Sequence, residues 1–267
     1  GDEHLSNTPS QIQIYKALGW QPPQFAHLSM ILGPDGAKLS KRHGATSVLE
    51  YKQQGFLPAA MRNYLSLLGW ATSDSQQLFT LSELIAKFDL AGCQKNPATF
   101  DTVKLTWMDG EYIRATPVSE LVKLAAPFIE SAGLTASGGP PLTETIALEH
   151  EKFKLLSEIP GLIDFFYKPV EFTPKALDKV LRAPRVKELL LGLAEELKDL
   201  ESFKDKALEE CVRRFSTDRG LKAGQVFHPI RAACSGRTEG PTLFLMLEIL
   251  GRDRTVSRLR EAAATLD

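Results

Sequence analysis

Cysteine is scarce: three in 267 residues, at positions 93, 211 and 234, with no two at metal-ligand spacing. That scarcity argues against a structural zinc or a disulfide framework and fits free or buried thiols in a reducing compartment. No apolar run approaches the roughly 18 residues that cross a bilayer, and no charged-then-apolar leader opens these residues. An excess of one charge sign is also missing. Lys and Arg number 32 against 33 Asp and Glu, a net charge of −1, so any grip on nucleic acid has to come from local patches. No repeat of fixed period is present, which rejects a solenoid. There is no initiator methionine, and Gly1-Asp2-Glu3-His4 is not a natural helix or strand beginning, so the sequence reads as a piece of something longer.

What is present is ordinary globular composition, 43% hydrophobic and 24% charged, enough for one large domain or two or three small ones. Asn7-Thr8-Pro9 predicts a capped helix start, with Ile12, Tyr15 and Leu18 on one face and Gly19 as its stop. Phe25 to Leu32 predicts an apolar strand, followed by a Pro34-Asp35-Gly36 turn. Ser47 to Glu50 and Thr80 to Glu83 are capping boxes; Pro58 to Leu68 and a segment opening at Thr116-Pro117 have helical spacing. Thr135 to Pro141 predicts a loop. Beyond it nearly everything reads as helix, punctuated by prolines 160, 169, 174, 184 and 229. The fold class is therefore mainly α with a small α/β N-terminal part. Trp70 and Trp107, in apolar helical contexts, are expected in the core.

Chemistry concentrates between Gly33 and Ala45. Lys38, Lys41 and Arg42 lie within five residues, beside Ser40 and between Gly33, Gly36 and Gly44. Compact ammonium charges on a glycine-flanked loop after an apolar run suit a polyphosphate. A second polar group, Asp2, Glu3, His4, Asn7 and Thr8, precedes a helix N-terminus, where backbone amides favour an anion; by itself it reads more readily as capping chemistry. From Phe203 onward twelve Lys or Arg face nine Asp or Glu, a mild surplus that includes Arg213, Arg214, Arg231 and Arg237. Each of these arginines suits a phosphate or a solvated surface. No His or acidic cluster has ligand spacing, so no resident metal is expected.

Lys38-Leu39-Ser40-Lys41-Arg42-His43-Gly44-Ala45 resembles the Lys-Met-Ser-Lys-Ser signature loop of class I aminoacyl-tRNA synthetases, in its glutamyl form. Gly1-Asp2-Glu3-His4 followed by Asn7-Thr8 is similar to the family's rim of the aminoacyl-adenylate pocket. Gly55-Phe56-Leu57-Pro58, Asn63-Tyr64-Leu65, Leu67-Leu68-Gly69-Trp70, Phe100-Asp101 and Tyr112-Ile113-Arg114 resemble the stem-contact region of bacterial-type glutamyl-tRNA synthetases, as does Thr46-Ser47-Val48. His228-Pro229-Ile230-Arg231, Gly236-Arg237 and Gly240-Pro241 resemble the last helices of the anticodon-binding domain. The match is specific to about Arg114 and thinner from Ala115 to Val226.

The resemblance implies the remnant of a Rossmann-like catalytic domain over 1–45, a stem-contact domain over 46–115, and a helical anticodon-binding domain over 116–267 with a break near 170. It implies catalytic roles for Lys41 and Lys38, contact with ATP from Lys38, Leu39, Ser40, Lys41 and Arg42, and a pocket rim from Asp2, Glu3, His4, Asn7 and Thr8. ATP with Mg2+, L-glutamate and tRNA(Glu) are the implied partners of a monomer without membrane attachment, in the cytoplasm or an organelle matrix. The family's His-Ile-Gly-His-like segment is not among these residues, nor is the arginine that usually precedes the first glycine. The expectation is a chain that does not form the adenylate alone; the alternative is a non-catalytic tRNA-binding module.

Overall fold

A computed structural model describes residues 1–44, 47–135 and 138–266. The chain forms two compact units, Gly1–Ala115 with Lys154–Leu156, and Thr116–Phe153 with Ser157–Asp267.

In the first unit a 3-10 turn, Asp2–Asn7, runs into α1 (Thr8–Ala17). Strand β1 (Ile31–Leu32) pairs in parallel with β2 (Ala98–Thr99), Ile31 opposite Ala98. Around this short ladder stand α2 (Val48–Gln54), α3 (Pro58–Leu67), α4 (Leu81–Lys87) and α5 (Thr102–Ala115). Both capping boxes form: the Ser47 amide donates to Glu50 Oε2 at 2.9 Å and the Thr80 amide to Glu83 Oε2 at 2.7 Å. Gly55 ends α2 at φ +96°, a left-handed turn that a β-carbon would strain.

Polar groups of α3 and α5 join the unit from inside. Asp109, fully buried on α5, accepts the Leu57 amide at 2.8 Å and so caps the entry to α3. Asn63 donates to Gln77 O, and its Oδ1 accepts from the Phe79 amide and from Tyr112 Oη, all at 2.8 Å. Tyr51, Phe56, Met61, Tyr64, Phe100, Leu105 and Met108 fill the space between. Burying each such side chain contributes about 1.5–3 kcal/mol. The second unit is a helical array: α6 (Val118–Ser131), α7 (Leu142–Glu149), α8 (Ile159–Ile163), α9 (Pro174–Ala176), α10 (Val186–Lys198), α11 (Asp205–Asp218), α12 (Ala223–Ser235), α13 (Leu243–Leu250) and α14 (Arg252–Ala264). The pairing of α10 with α14 is its most extensive, burying Leu190, Leu193 and Leu197 together with Leu259 and Ala262.

Several expectations are corrected. The residues Asp2–Asn7 do form a helical turn, and the Asn7 side chain does not cap α1; it bonds His4 Nδ1 at 3.1 Å. The apolar run from Phe25 is a strand only at Ile31–Leu32, because hydrogen-bonding neighbours run alongside only there among the described residues. Trp70 is buried, but Trp107 is 40% exposed on the outer face of α5. Pro229 does not end a helix: it lies buried inside α12, where packing outweighs its missing amide. Ala45, which ends the lysine-loop motif, Thr46, and part of the 135–141 loop (Ala136 and Ser137) lie outside the described residues.

Candidate nucleotide-phosphate loop

The lysine loop is the return of a tight hairpin. The Gly33 amide donates to Ala37 O at 2.7 Å, the Gly36 amide to Gly33 O at 3.0 Å, and the Leu39 amide to Ile31 O at 3.0 Å. Gly36 adopts φ +75°, which the Pro-Asp-Gly turn requires. Strand β1 is thus flanked by β2 on one side and by Lys38–Leu39 on the other. Leu39 packs its side chain on the α3–α5 core, which anchors the loop's middle. After Ser40 the chain makes one 3-10 turn, Lys41–His43, and leaves through Gly44 at φ +104°.

The charged side chains divide the work. Lys38 Nζ reaches Glu3 Oε1 at 2.8 Å, joining the loop to the N-terminal polar group. That hydrogen bond, helped by the Glu3 backbone amide, pulls the Glu3 carboxyl down to about 2. Arg42 donates to Asp35 Oδ2 at 3.2 Å, and the Ala37 amide to Asp35 Oδ1 at 3.0 Å. The Ala37 amide and then His43 hold the Asp35 carboxyl below the usual range. Lys41 is exposed and has no ion-pair partner among the described residues. An ammonium held on a fixed turn and left unpaired is available to an incoming anion.

The rim residues assemble around a side chain that sequence reasoning passed over. His27 Nδ1 lies 3.4 Å from Gly1 O, which can only accept, so Nδ1 carries the proton and Nε2 accepts from Thr8 Oγ1 at 2.9 Å. His27 therefore ties Gly1 and Thr8 to the segment that leads into β1. Asp2 Oδ1 is shielded from solvent with no hydrogen-bond partner among the described residues. Nothing in the spacing singled out His27; His43 was visible in the motif but had no role beyond resemblance.

The arginines singled out in the sequence belong to the second unit. Arg213 pairs with Glu209 on α11 at 2.6 Å and lies 5.4 Å from the Phe227 ring centroid. Arg214 is exposed on the same helix. Arg231 donates to Pro241 O at 2.5 Å, and burial pushes its guanidinium pKa down. Arg237 donates to Gly161 O at 2.7 Å and Asp164 Oδ1 at 2.6 Å. Arg231 and Arg237 thus hold loops together, while Arg213 and Arg214 face outward. Among the described residues no group of three or more His, Cys, Asp or Glu is placed to hold a metal ion, and no helix is long and apolar enough to cross a membrane.

Comparison with known proteins follows the division into units. The family of class I tRNA synthetases (E and Q), catalytic domain, matches residues 1–107. The anticodon binding domain family matches residues 120–263. A glutamate–tRNA ligase of Elusimicrobium minutum is 55% identical over 98% of this chain and 54% of its own length. A second, from Caldanaerobacter subterraneus, is 43% identical over 98% of this chain and 55% of its length. The crystal structure of a glutamate tRNA ligase from Elizabethkingia meningosepticum, in complex with its amino acid, superposes with a TM-score of 0.86 at 28% identity, covering all of this chain and 56% of that one. The chain therefore spans about half the length of the relatives it matches.

Proposed function

Since the chain belongs to the class I tRNA synthetase family of the glutamate and glutamine type, we propose that it is part of a ligase that attaches L-glutamate to tRNA(Glu) using ATP and its Mg2+. The observation that carries this reading is the hairpin at Gly33–Gly44, which anchors Leu39 in a core, engages Lys38 and Arg42, and leaves Lys41 without an ion-pair partner among the described residues. Activation is attack of the glutamate carboxylate on the α-phosphorus of ATP, with pyrophosphate leaving. Negative charge grows on the phosphoryl oxygens, and a preorganised cation lowers that barrier without making or breaking bonds itself. Lys41 supplies that cation. Lys38 exchanges Glu3 for a phosphate oxygen when the nucleotide arrives, and Ser40 and Arg42 shape the loop. Asp2, Glu3, His4, Asn7 and Thr8 form the rim of the amino-acid pocket, where Asp2 Oδ1, without a hydrogen-bond partner among the described residues, suits the substrate's ammonium group.

Residues 1–45 belong, in this reading, to the catalytic domain, 46–115 to a module that contacts the tRNA stem, and 116–267 to the anticodon reader, with Arg213, Arg214, Arg231 and Arg237 among its phosphate or base contacts. The working protein is a monomer in the bacterial cytoplasm. The 267 residues by themselves do not form the adenylate, because the histidine signature of the family's nucleotide site is not among them. A second reading, a tRNA-binding module without chemistry of its own, is supported by the anticodon binding domain match over residues 120–263.

Lys41→Ala tests the first reading in a polypeptide that joins these residues to the remaining length of the relatives. Pyrophosphate exchange is expected to fall at least about 100-fold, the loss that follows removal of one transition-state charge partner. Full exchange by that variant would defeat the assignment. Robust exchange by residues 1–267 alone would defeat the claim that they need the rest.

A further inference from the structure

We infer that His43 is the positioning residue of the lysine loop: its ring, pinned between Gly33 and Asp35, holds the turn that presents Lys41. This inference rests on the reading of the loop as a phosphate binder.

Three independent contacts meet on this one side chain, which is only 9% exposed. The Ser40 amide donates to His43 Nδ1 at 3.1 Å, so Nδ1 carries no proton. His43 Nε2 lies 3.1 Å from Asp35 Oδ1, an acceptor, so Nε2 carries the proton and donates it. The ring is the neutral Nε2–H tautomer, fixed at both nitrogens. With that assignment the 3.3 Å approach of Arg42 Nε to His43 Nε2 sets two donors face to face and is not a hydrogen bond. The guanidinium's partner is the other oxygen of Asp35. Packing supplies the third contact. A β-carbon added at Gly33 would fall 2.9 Å from three atoms of the imidazole, a separation that real β-carbons essentially never show.

The arrangement closes a ring of constraints. Gly33 opens the hairpin and is the ring's floor; Asp35, in the turn, holds Nε2; Ser40, where the 3-10 turn begins, is held by Nδ1. His43 itself ends that turn, its amide donating to Ser40 O at 2.9 Å. Lys41 sits between the two ends that the imidazole joins. A three-residue 3-10 turn on an exposed loop is a weak structure alone, so its geometry depends on this pin. His43 is shielded from solvent and both its ring nitrogens are engaged within the loop, which makes it a positioning residue and not a ligand for phosphate.

The test uses the 267-residue chain and inorganic tripolyphosphate as probe. Long-range 15N–1H spectra are expected to show His43 with a bare Nδ1 and a protonated Nε2. His43→Ala is expected to weaken tripolyphosphate binding about five- to tenfold, the equivalent of one lost hydrogen bond, and to speed exchange of the Ser40 amide, with the melting temperature unchanged. His43→Asn, whose carbonyl oxygen can still accept the Ser40 amide, should recover most of both. Gly33→Ala should reproduce His43→Ala by displacing the ring. A protonated Nδ1, or a His43→Ala protein with wild-type binding and wild-type Ser40 exchange, would overturn the inference. If the wild-type chain does not bind tripolyphosphate, the phosphate reading of the loop fails, while the tautomer and the Ser40 exchange still decide whether His43 is the pin.

Discussion

Residues 1–32 and the α10–α14 pair are both rich in large apolar side chains, yet they use them in opposite ways. In α10, Leu189, Leu190, Leu193 and Leu197 are all buried. In residues 1–32 no side chain is buried, and Leu5, Ile14, Leu18, Trp20, Phe25 and Leu28 face solvent. Within these 267 residues the N-terminal segment is held by local hydrogen bonds, the His27 contacts and the Glu3–Lys38 pair. Apolar periodicity alone therefore does not create stability; it does so only where a second apolar face covers it. Within the first unit the candidate phosphate loop lies at the border between that segment and the α3–α5 core, with Leu39 anchored in the core and Lys38 reaching back to the uncovered segment.

The largest expected effect sharpens this contrast directly. In the 267-residue chain, Leu193→Ala should cost about 2–5 kcal/mol in chemical denaturation, as removal of a fully buried leucine does, whereas Leu18→Ala should stay within about 0.5 kcal/mol. Equal losses would break the comparison. Thiol reactivity gives an intermediate effect. Burial raises the Cys211 thiol and pushes Cys234 up to about 12, so at pH 8 iodoacetamide should modify Cys93 well before either of them. Rapid native-state labelling of Cys234 would mean that the helical core opens freely.

The smallest effect concerns the border itself. Because Lys38 lowers the Glu3 carboxyl to about 2 from an ordinary 4.5, the pair is fully favourable above about pH 4.5 and is lost as pH falls through about 2. A 13C titration of the Glu3 carboxyl should thus show its midpoint near 2. A midpoint near 4.5 would show that the exposed pair does not hold in solution. Its effect on global stability should be negligible, since both partners meet water.

Much of the fold was legible in the residues. Ser47-Val48-Leu49-Glu50 and Thr80-Leu81-Ser82-Glu83 are local reciprocal hydrogen bonds, and both form as expected. Gly55 and Gly133 mark helix ends because their left-handed φ angles are local properties. The motif words of the stem-contact resemblance acquire structural reasons: Asn63 satisfies a loop amide and carbonyl, Tyr64 Oη accepts the Asp101 amide at 2.6 Å, and the Trp70 indole donates to Asp89 O at 3.1 Å. The strand at Phe25 and the buried position of Trp107 were misjudged for one reason. Both depend on whether a partner surface exists, which side-chain type and spacing do not encode.

Residue order by itself determined the helix caps, the Pro-Asp-Gly turn and the family resemblance, because each rests on groups a few positions apart. Only the tertiary structure decided that Lys38 would reach Glu3 while Lys41 found no ion-pair partner among the described residues, that His27 would gather the N-terminal rim, and that His43 would close on Gly33. These depend on distances between groups separated along the chain, which burial and backbone geometry set together.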